Sequence, residues 1–163
     1  MIALVALVSF GAYAQHDHAA HGDSKDQVQV MFKDEKVGTA YGHYVHLKDA
    51  LVASKSDEAK KAASELQKAL SSLGNAKKAS ESASKIAASA DLDAQRKEFS
   101  TLSNEITALV KASKLTMGSI YLEYCPMANS NEGAYWLSNE KQIKNPYFGD
   151  AMLKCGSVKE TIQ

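Results

Sequence analysis

Two pairs of sulfur-bearing residues lie in the C-terminal third of the chain. Cys125 and Met127 flank Pro126, and Met152 precedes Cys155 by three positions. In an extended segment, residues two apart point to the same side, and proline restricts the backbone between them. Residues three apart share one face of a helical turn. Because thiolates and thioethers prefer Cu(I) or Ag(I) to hard cations, we predict that these four side chains bind a soft metal ion.

The same two cysteines also permit a disulfide. The chain holds two cysteines, an even number, and oxidising compartments favour pairing them. Met127 and Met152 would then fill gaps in the core. Residue types alone leave both interpretations open: a metal site, or a disulfide-stapled structural or protein-interaction module of the cell envelope that holds no metal.

Histidines supply further candidate ligands. His43 and His46 lie three positions apart within a helical pattern, so their imidazoles are neighbours on one face. His46 is the better candidate because it lies nearer the predicted core boundary, and solvated histidines without a metal are the alternative. An upstream tract is predicted to bind Cu(II), Ni(II) or Zn(II) loosely as an accessory site, which keeps zinc as a further candidate metal. This tract consists of His16, His18 and His21.

The sequence gives little support for catalysis or nucleic-acid binding. Cys125 with His46 would make a thiol nucleophile only if a third group oriented the imidazole, and no nucleophile motif accompanies them. Glycine-rich phosphate loops and the His-Glu-x-x-His zinc motif are absent from the sequence. Nineteen basic and nineteen acidic side chains cancel without a basic stripe. We therefore expect neither an enzyme nor a nucleic-acid-binding protein.

The N-terminus has the form of an export signal. Residues 1–10 are apolar, and Ala12-Tyr13-Ala14 is a small-x-small cleavage site. We predict a signal peptide over residues 1–14, cleaved after Ala14, and a periplasmic or secreted protein; a buried N-terminal helix is the alternative. The apolar run is too short to span a bilayer, so no transmembrane segment is expected in the mature chain. Residues 15–34 are predicted to be a flexible histidine-containing tail.

Helical patterns dominate the chain after this tail. Four stretches carry apolar residues at three- and four-residue spacing and are joined by short connections, which favours antiparallel neighbours. We predict an all-α fold: an antiparallel up-down four-helix bundle over residues 35–163, with an irregular but ordered segment, residues 117–156, that carries the Cys/Met motif. The predicted helices are 37–53, one opening at Ser56 and ending at Gly74-Asn75, 76–90, and one capped by Asp91 or Asp93.

The sequence also resembles an uncharacterised domain family of Bacteroidetes-type bacteria. That family occurs alone behind a signal peptide and at the C-terminus of periplasmic adaptor subunits of copper/silver efflux pumps. The resemblance covers residues 35–162, and its most specific part is the C-terminal run. The residues that carry it are Tyr124-Cys-Pro-Met-Ala128, Gly133-Ala-Tyr-Trp-Leu-Ser138, Ile143-Lys-Asn-Pro-Tyr-Phe-Gly149 and Met152-Leu-Lys-Cys-Gly156, with Tyr44-Val-His-Leu-Lys-Asp-Ala-Leu51 and Gln95-Arg-Lys-Glu-Phe99 in the helical half.

The resemblance implies a four-helix unit that binds a heavy metal without catalysis. Cys-Pro-Met also looks like the small heavy-metal motif of those efflux systems, which continues with His-Pro where this chain has Ala128-Asn129. Together with the sulfur pairs, it leads us to expect a periplasmic protein that sequesters copper or silver or passes it to an efflux system. An efflux-pump adaptor or another envelope protein is the candidate partner.

Overall fold

The computed structural model describes residues 29–163. The predicted signal peptide, its cleavage point and the histidines of the tail lie outside this range. The predicted tail, residues 15–34, overlaps it only at its end, where Met31 and Phe32 form a short strand.

Four long helices form where the apolar periodicity predicts them. They are α1 (Glu35–Val52), α2 (Ser56–Ser71), α3 (Lys77–Ala88) and α4 (Leu92–Lys111). Asp91 caps α4 as predicted: its carboxylate accepts a hydrogen bond from the Ala94 amide at 2.7 Å. Ser56 does not cap α2, because its hydroxyl instead donates to the Ala90 carbonyl at 2.6 Å. Gly74 follows the end of α2 without the left-handed backbone that the sequence predicted there.

Consecutive helices contact each other, and α1 also contacts α4. The connections between them are short, so neighbouring helices run in opposite directions. Alanines are buried along α2 and α3, and all four helices contribute large side chains to the core. Fully buried examples are Tyr44, Leu47, Leu51, Phe99, Leu102 and Ile106.

The prediction of an all-α fold is wrong, because two antiparallel sheets accompany the helices. In the first sheet, β1 (Met31–Phe32) pairs with β2 (Leu115–Met117). In the second, β3 (Ile120–Cys125) lies between β4 (Ala134–Ser138) and β5 (Ser157–Ile162). Aromatic and β-branched residues in these segments favour extended backbone over helix, and pairing satisfies their amides. The segment predicted to be irregular, residues 117–156, therefore contains strands β3 and β4.

The second sheet packs onto the helices through its buried face. Trp136 and Leu137 of β4 are fully buried, and the Leu137 amide donates to the Tyr44 hydroxyl at 3.0 Å. The same hydroxyl shares a 2.8 Å hydrogen bond with Ser103 of α4. One buried side chain thus joins α1, α4 and the sheet. Within residues 29–163, no helix is long and apolar enough to cross a membrane.

Candidate metal centre

The second sheet brings the two cysteines together. Cys125 ends β3, and β5 begins just after Cys155 and pairs with β3 from Tyr124↔Ser157 onward. Cys125 is fully buried and Cys155 half-buried, and both thiols are free. The neighbouring Cys125 thiol, together with burial, raises the pKa of Cys155 to about 11.

A network of backbone contacts fixes the segment that carries Cys155. The Cys155 amide donates to the Met152 carbonyl at 3.0 Å, which closes a turn after the 3-10 helix Gly149–Met152. The side chain of the buried Asn145 donates to the Cys155 carbonyl at 2.8 Å, and the Asn145 amide donates to the Leu153 carbonyl at 2.9 Å. These hydrogen bonds fix the backbone of Cys155, and the position of its Cβ is therefore fixed too.

The two methionines line a common groove beside this segment. Met127 and Met152 lie in its wall together with Arg96 and Phe148, and the groove has a volume of about 620 Å³. Met127 is 47% exposed. The groove is wide enough for solvent to reach both thioethers, so an ion could approach the methionines from this side.

The expectation of an extended Cys-Pro-Met segment is wrong. Strand β3 ends at Cys125, and Met127 already has helical backbone angles as the N-cap of the short helix α5 (Ala128–Asn131). The chain then passes through three consecutive left-handed residues, Asn129 to Asn131. Because the chain turns at Pro126, Cys125 points into the core while Met127 faces the groove. The thiol and the thioether therefore do not share one side of a strand.

The histidines lie apart from the sulfur residues. The rings of His43 and His46 have their centroids 6.3 Å apart on α1, in an edge arrangement. His46 is exposed and lines a cavity of about 160 Å³ with Val30, Tyr41 and Asn139, but with no cysteine or methionine. Among residues 29–163, no three His, Cys, Asp or Glu side chains cluster as a metal site would require. The structure thus brings the two cysteines together and places His46 in a separate cavity.

A buried carboxyl group, which the sequence did not predict as part of a site, lies on the same strand as Cys125. Glu123 of β3 is fully buried, and neither carboxylate oxygen has a hydrogen-bond partner. Burial raises its pKa to about 7, against the opposing effects of the buried Lys48 and of the Trp136 indole, which lies beside it without hydrogen-bond geometry. Recognising Ile120–Cys125 as a strand would have shown that Glu123 and Cys125 share a face.

The helical part of the chain is similar to a known protein family. Residues 40–118 match the sequence profile of a family described as Protein of unknown function (DUF3347). These residues are thus similar to a domain family of unknown function. The match runs from α1 through β2 and ends before the cysteines. No curated protein and no solved structure matches the chain.

Proposed function

We propose that this protein is an exported, non-catalytic heavy-metal-binding protein that holds Cu(I) or Ag(I). The thiols of Cys125 and Cys155 are the principal ligands, and the thioethers of Met127 and Met152 complete the site from the groove. One observation carries the proposal: the pairing of β5 with β3 brings together two thiols that are distant in sequence. Paired soft donors favour a d10 ion such as Cu(I) over hard cations.

The protonation state of the thiols sets the conditions for binding. Because the pKa of Cys155 is raised to about 11, its thiol is protonated at neutral pH in the metal-free protein. A metal ion binds the thiolate, so binding must release this proton and strengthens as the pH rises. The ion would form one metal–sulfur bond with each of the two thiolates.

A disulfide-stapled envelope module is the second candidate function, and the same contact favours it. Two thiols this close are positioned for oxidation, and a Cys125–Cys155 bond would remove both principal ligands. The two functions differ in the state of the thiols under the conditions where the protein acts. Transfer of the ion to an efflux system, which the family resemblance implies, applies only to the metal-binding function.

Competition titration with Cu(I) under reducing conditions tests the metal site. Cys125→Ser, Cys155→Ser and Met127→Leu should each weaken binding relative to wild type while circular dichroism shows an unchanged fold. The serine variants should lose the most affinity, because each removes an anionic ligand. Met127→Leu preserves size and apolarity, so it isolates the loss of the thioether.

His46→Gln is the matched control, since it removes a candidate ligand that lies in a separate cavity. It should bind Cu(I) as wild type does. If both serine variants and Met127→Leu bind Cu(I) like wild type, the metal site is wrong and the disulfide-stapled module takes its place. If His46→Gln loses affinity as strongly as Cys125→Ser, the sulfur-only ligand set is wrong.

A further inference from the structure

A second pair of methionines faces solvent on the two-stranded sheet. Met31 of β1 and Met117 of β2 are direct partners in the antiparallel register. Direct partners project from the same face, with Cβ atoms about 4.5–5.5 Å apart. Met31 is 44% exposed and Met117 is 55% exposed, whereas the next residue of β1, Phe32, is 7% exposed and faces the core. The two thioethers thus stand side by side on the outer face of the ribbon.

The two chain segments that carry this pair offer no anionic or imidazole ligand. Residues 29–33 and 114–118 include no carboxylate, imidazole or thiol. Thioethers are weak ligands for hard or doubly charged ions and good ones for Cu(I) and Ag(I). Methionine side chains are also flexible enough to converge on one ion from neighbouring strands. The pair should therefore bind soft ions in preference to hard ones, because its two side chains offer only thioether sulfur atoms.

We propose that Met31 and Met117 form a second soft-metal site that binds one Ag(I) or Cu(I) ion through two thioethers. The site does not depend on the cysteine centre. The ribbon precedes the N-terminus of α1, whereas the groove lies beyond its C-terminus, where Gly149 approaches the Val52 carbonyl. Helix α1 has 18 residues, so it separates the two sites by about 27 Å.

The fold holds the backbones of Met31 and Met117 opposite each other before any ion binds. The Thr116 hydroxyl donates to the Met31 carbonyl at 3.3 Å, and the Lys33 amide donates to the Lys114 carbonyl at 2.9 Å, so these two contacts join β1 to β2 beside the pair. A second ligand fixed next to the first raises its effective concentration, so the pair binds more tightly than either thioether alone. Solvent-facing leucines would preserve the packing of the ribbon but offer no donor atom.

The test is a titration of the full chain, labelled with 13C at the methionine methyls, with silver nitrate under reducing conditions. The methyl resonances of Met31 and Met117 should shift together along one saturation curve that ends at one ion for the pair. In Met31→Leu, the Met117 resonance should require at least tenfold more Ag(I) to shift. Lys68→Leu, an exposed substitution on α2 outside both proposed sites, is the control and should leave the curve of Met31 and Met117 unchanged.

Two results would overturn this second site. One is different Ag(I) dependences for Met31 and Met117; the other is a Met117 curve that Met31→Leu does not alter. Failure of the cysteine centre gives a different pattern, because Met127 and Met152 would then stay silent while Met31 and Met117 still shift. The two proposals can thus fail separately in the same experiment.

Discussion

At the scale of single residues, Glu123 is a buried carboxylate whose ionisation affects the stability of the protein. Its carboxylate is buried without a hydrogen-bond partner, and its pKa rises from 4.5 to about 7. The charged groups around it are Lys48 and the more distant Glu140, and the hydroxyls of Tyr41 and Tyr44 face it from α1. Lys48 is itself engaged by Asp49 at 2.8 Å. The protein therefore holds an acid that gives up its proton near neutral pH.

This arrangement predicts that wild-type stability falls as the pH rises. A carboxyl whose pKa is higher in the folded than in the unfolded protein stabilises the fold fully below about pH 4.5, and this contribution is lost as the pH rises through 7. The difference between pH 5 and pH 8 is at most about 3 kcal/mol. Glu123→Gln should unfold at a nearly constant urea concentration over this range and be more stable than wild type at pH 8.

Urea unfolding of both proteins between pH 5 and pH 8 measures the effect. Glu140→Gln is the control, because it removes a neighbouring carboxylate that is partly exposed and paired with Lys144 at 2.7 Å. It should keep the pH dependence of wild type. An unchanged pH dependence in Glu123→Gln would show that Glu123 does not titrate in this range.

At the scale of elements, the approach of the 3-10 helix to the bundle depends on one glycine. Gly149 has φ +55°, and a Cβ there would lie 2.6 Å from the Ser54 hydroxyl and 2.8 Å from the Val52 carbonyl. Arg96 fixes this corner: its guanidinium donates to the Leu51 carbonyl at 3.1 Å and to the Pro146 carbonyl at 3.0 Å. The helix that carries Met152 is thus held against the end of α1.

Gly149→Ala should destabilise the protein by about 1–3 kcal/mol, because the left-handed backbone and the close carbonyl both oppose a side chain. Gly42→Ala is a matched control within α1, where an added Cβ meets nothing within 4 Å. It should stabilise the protein by about 0.5–1 kcal/mol. Chemical denaturation of both variants measures the difference, and equal stabilities would contradict the strain assigned to this corner.

The helices could be predicted from the sequence and the strands could not, for a physical reason. Apolar residues recur at helical spacing on one face of each helix, such as Leu66 and Leu70 in α2 and Phe99 and Leu102 in α4. This spacing is enough to predict a helix. In β3, by contrast, both Leu122 and Glu123 are buried, so the alternation that identifies a strand is missing. Strand β1 is two residues long and pairs with residues that follow α4. A pattern among neighbouring residues cannot predict a pairing with residues so far away in the sequence.

At the scale of the whole molecule, the candidate site shows the same limit. The sequence offers few sulfur atoms as candidate ligands, but spacing cannot show which of them meet. Cys125 and Cys155 meet because β5 returns beside β3, and Met127 leaves Cys125 because the strand ends there. The placement of His46 away from the sulfur atoms likewise follows from tertiary packing.

The upstream histidines lie outside the described residues, and their predicted role can be tested on the entire chain. Deleting residues 15–27 should remove weak Cu(II) or Ni(II) binding while leaving Cu(I) affinity nearly unchanged, because imidazoles prefer the former ions and the sulfur sites the latter. Isothermal titration with each ion measures this. Loss of all metal binding after the deletion would make the tail the main site.

The hydrogen bond of the Tyr44 hydroxyl also bears on how the chain can be shortened. The family match ends at residue 118, yet Tyr44 accepts its hydrogen bond from Leu137, and the buried Trp136 also lies beyond that limit. A fragment that stops at residue 118 would retain all four helices but expose apolar surface that the sheet now covers. The matched region therefore lacks the part of the sheet that contacts the helices.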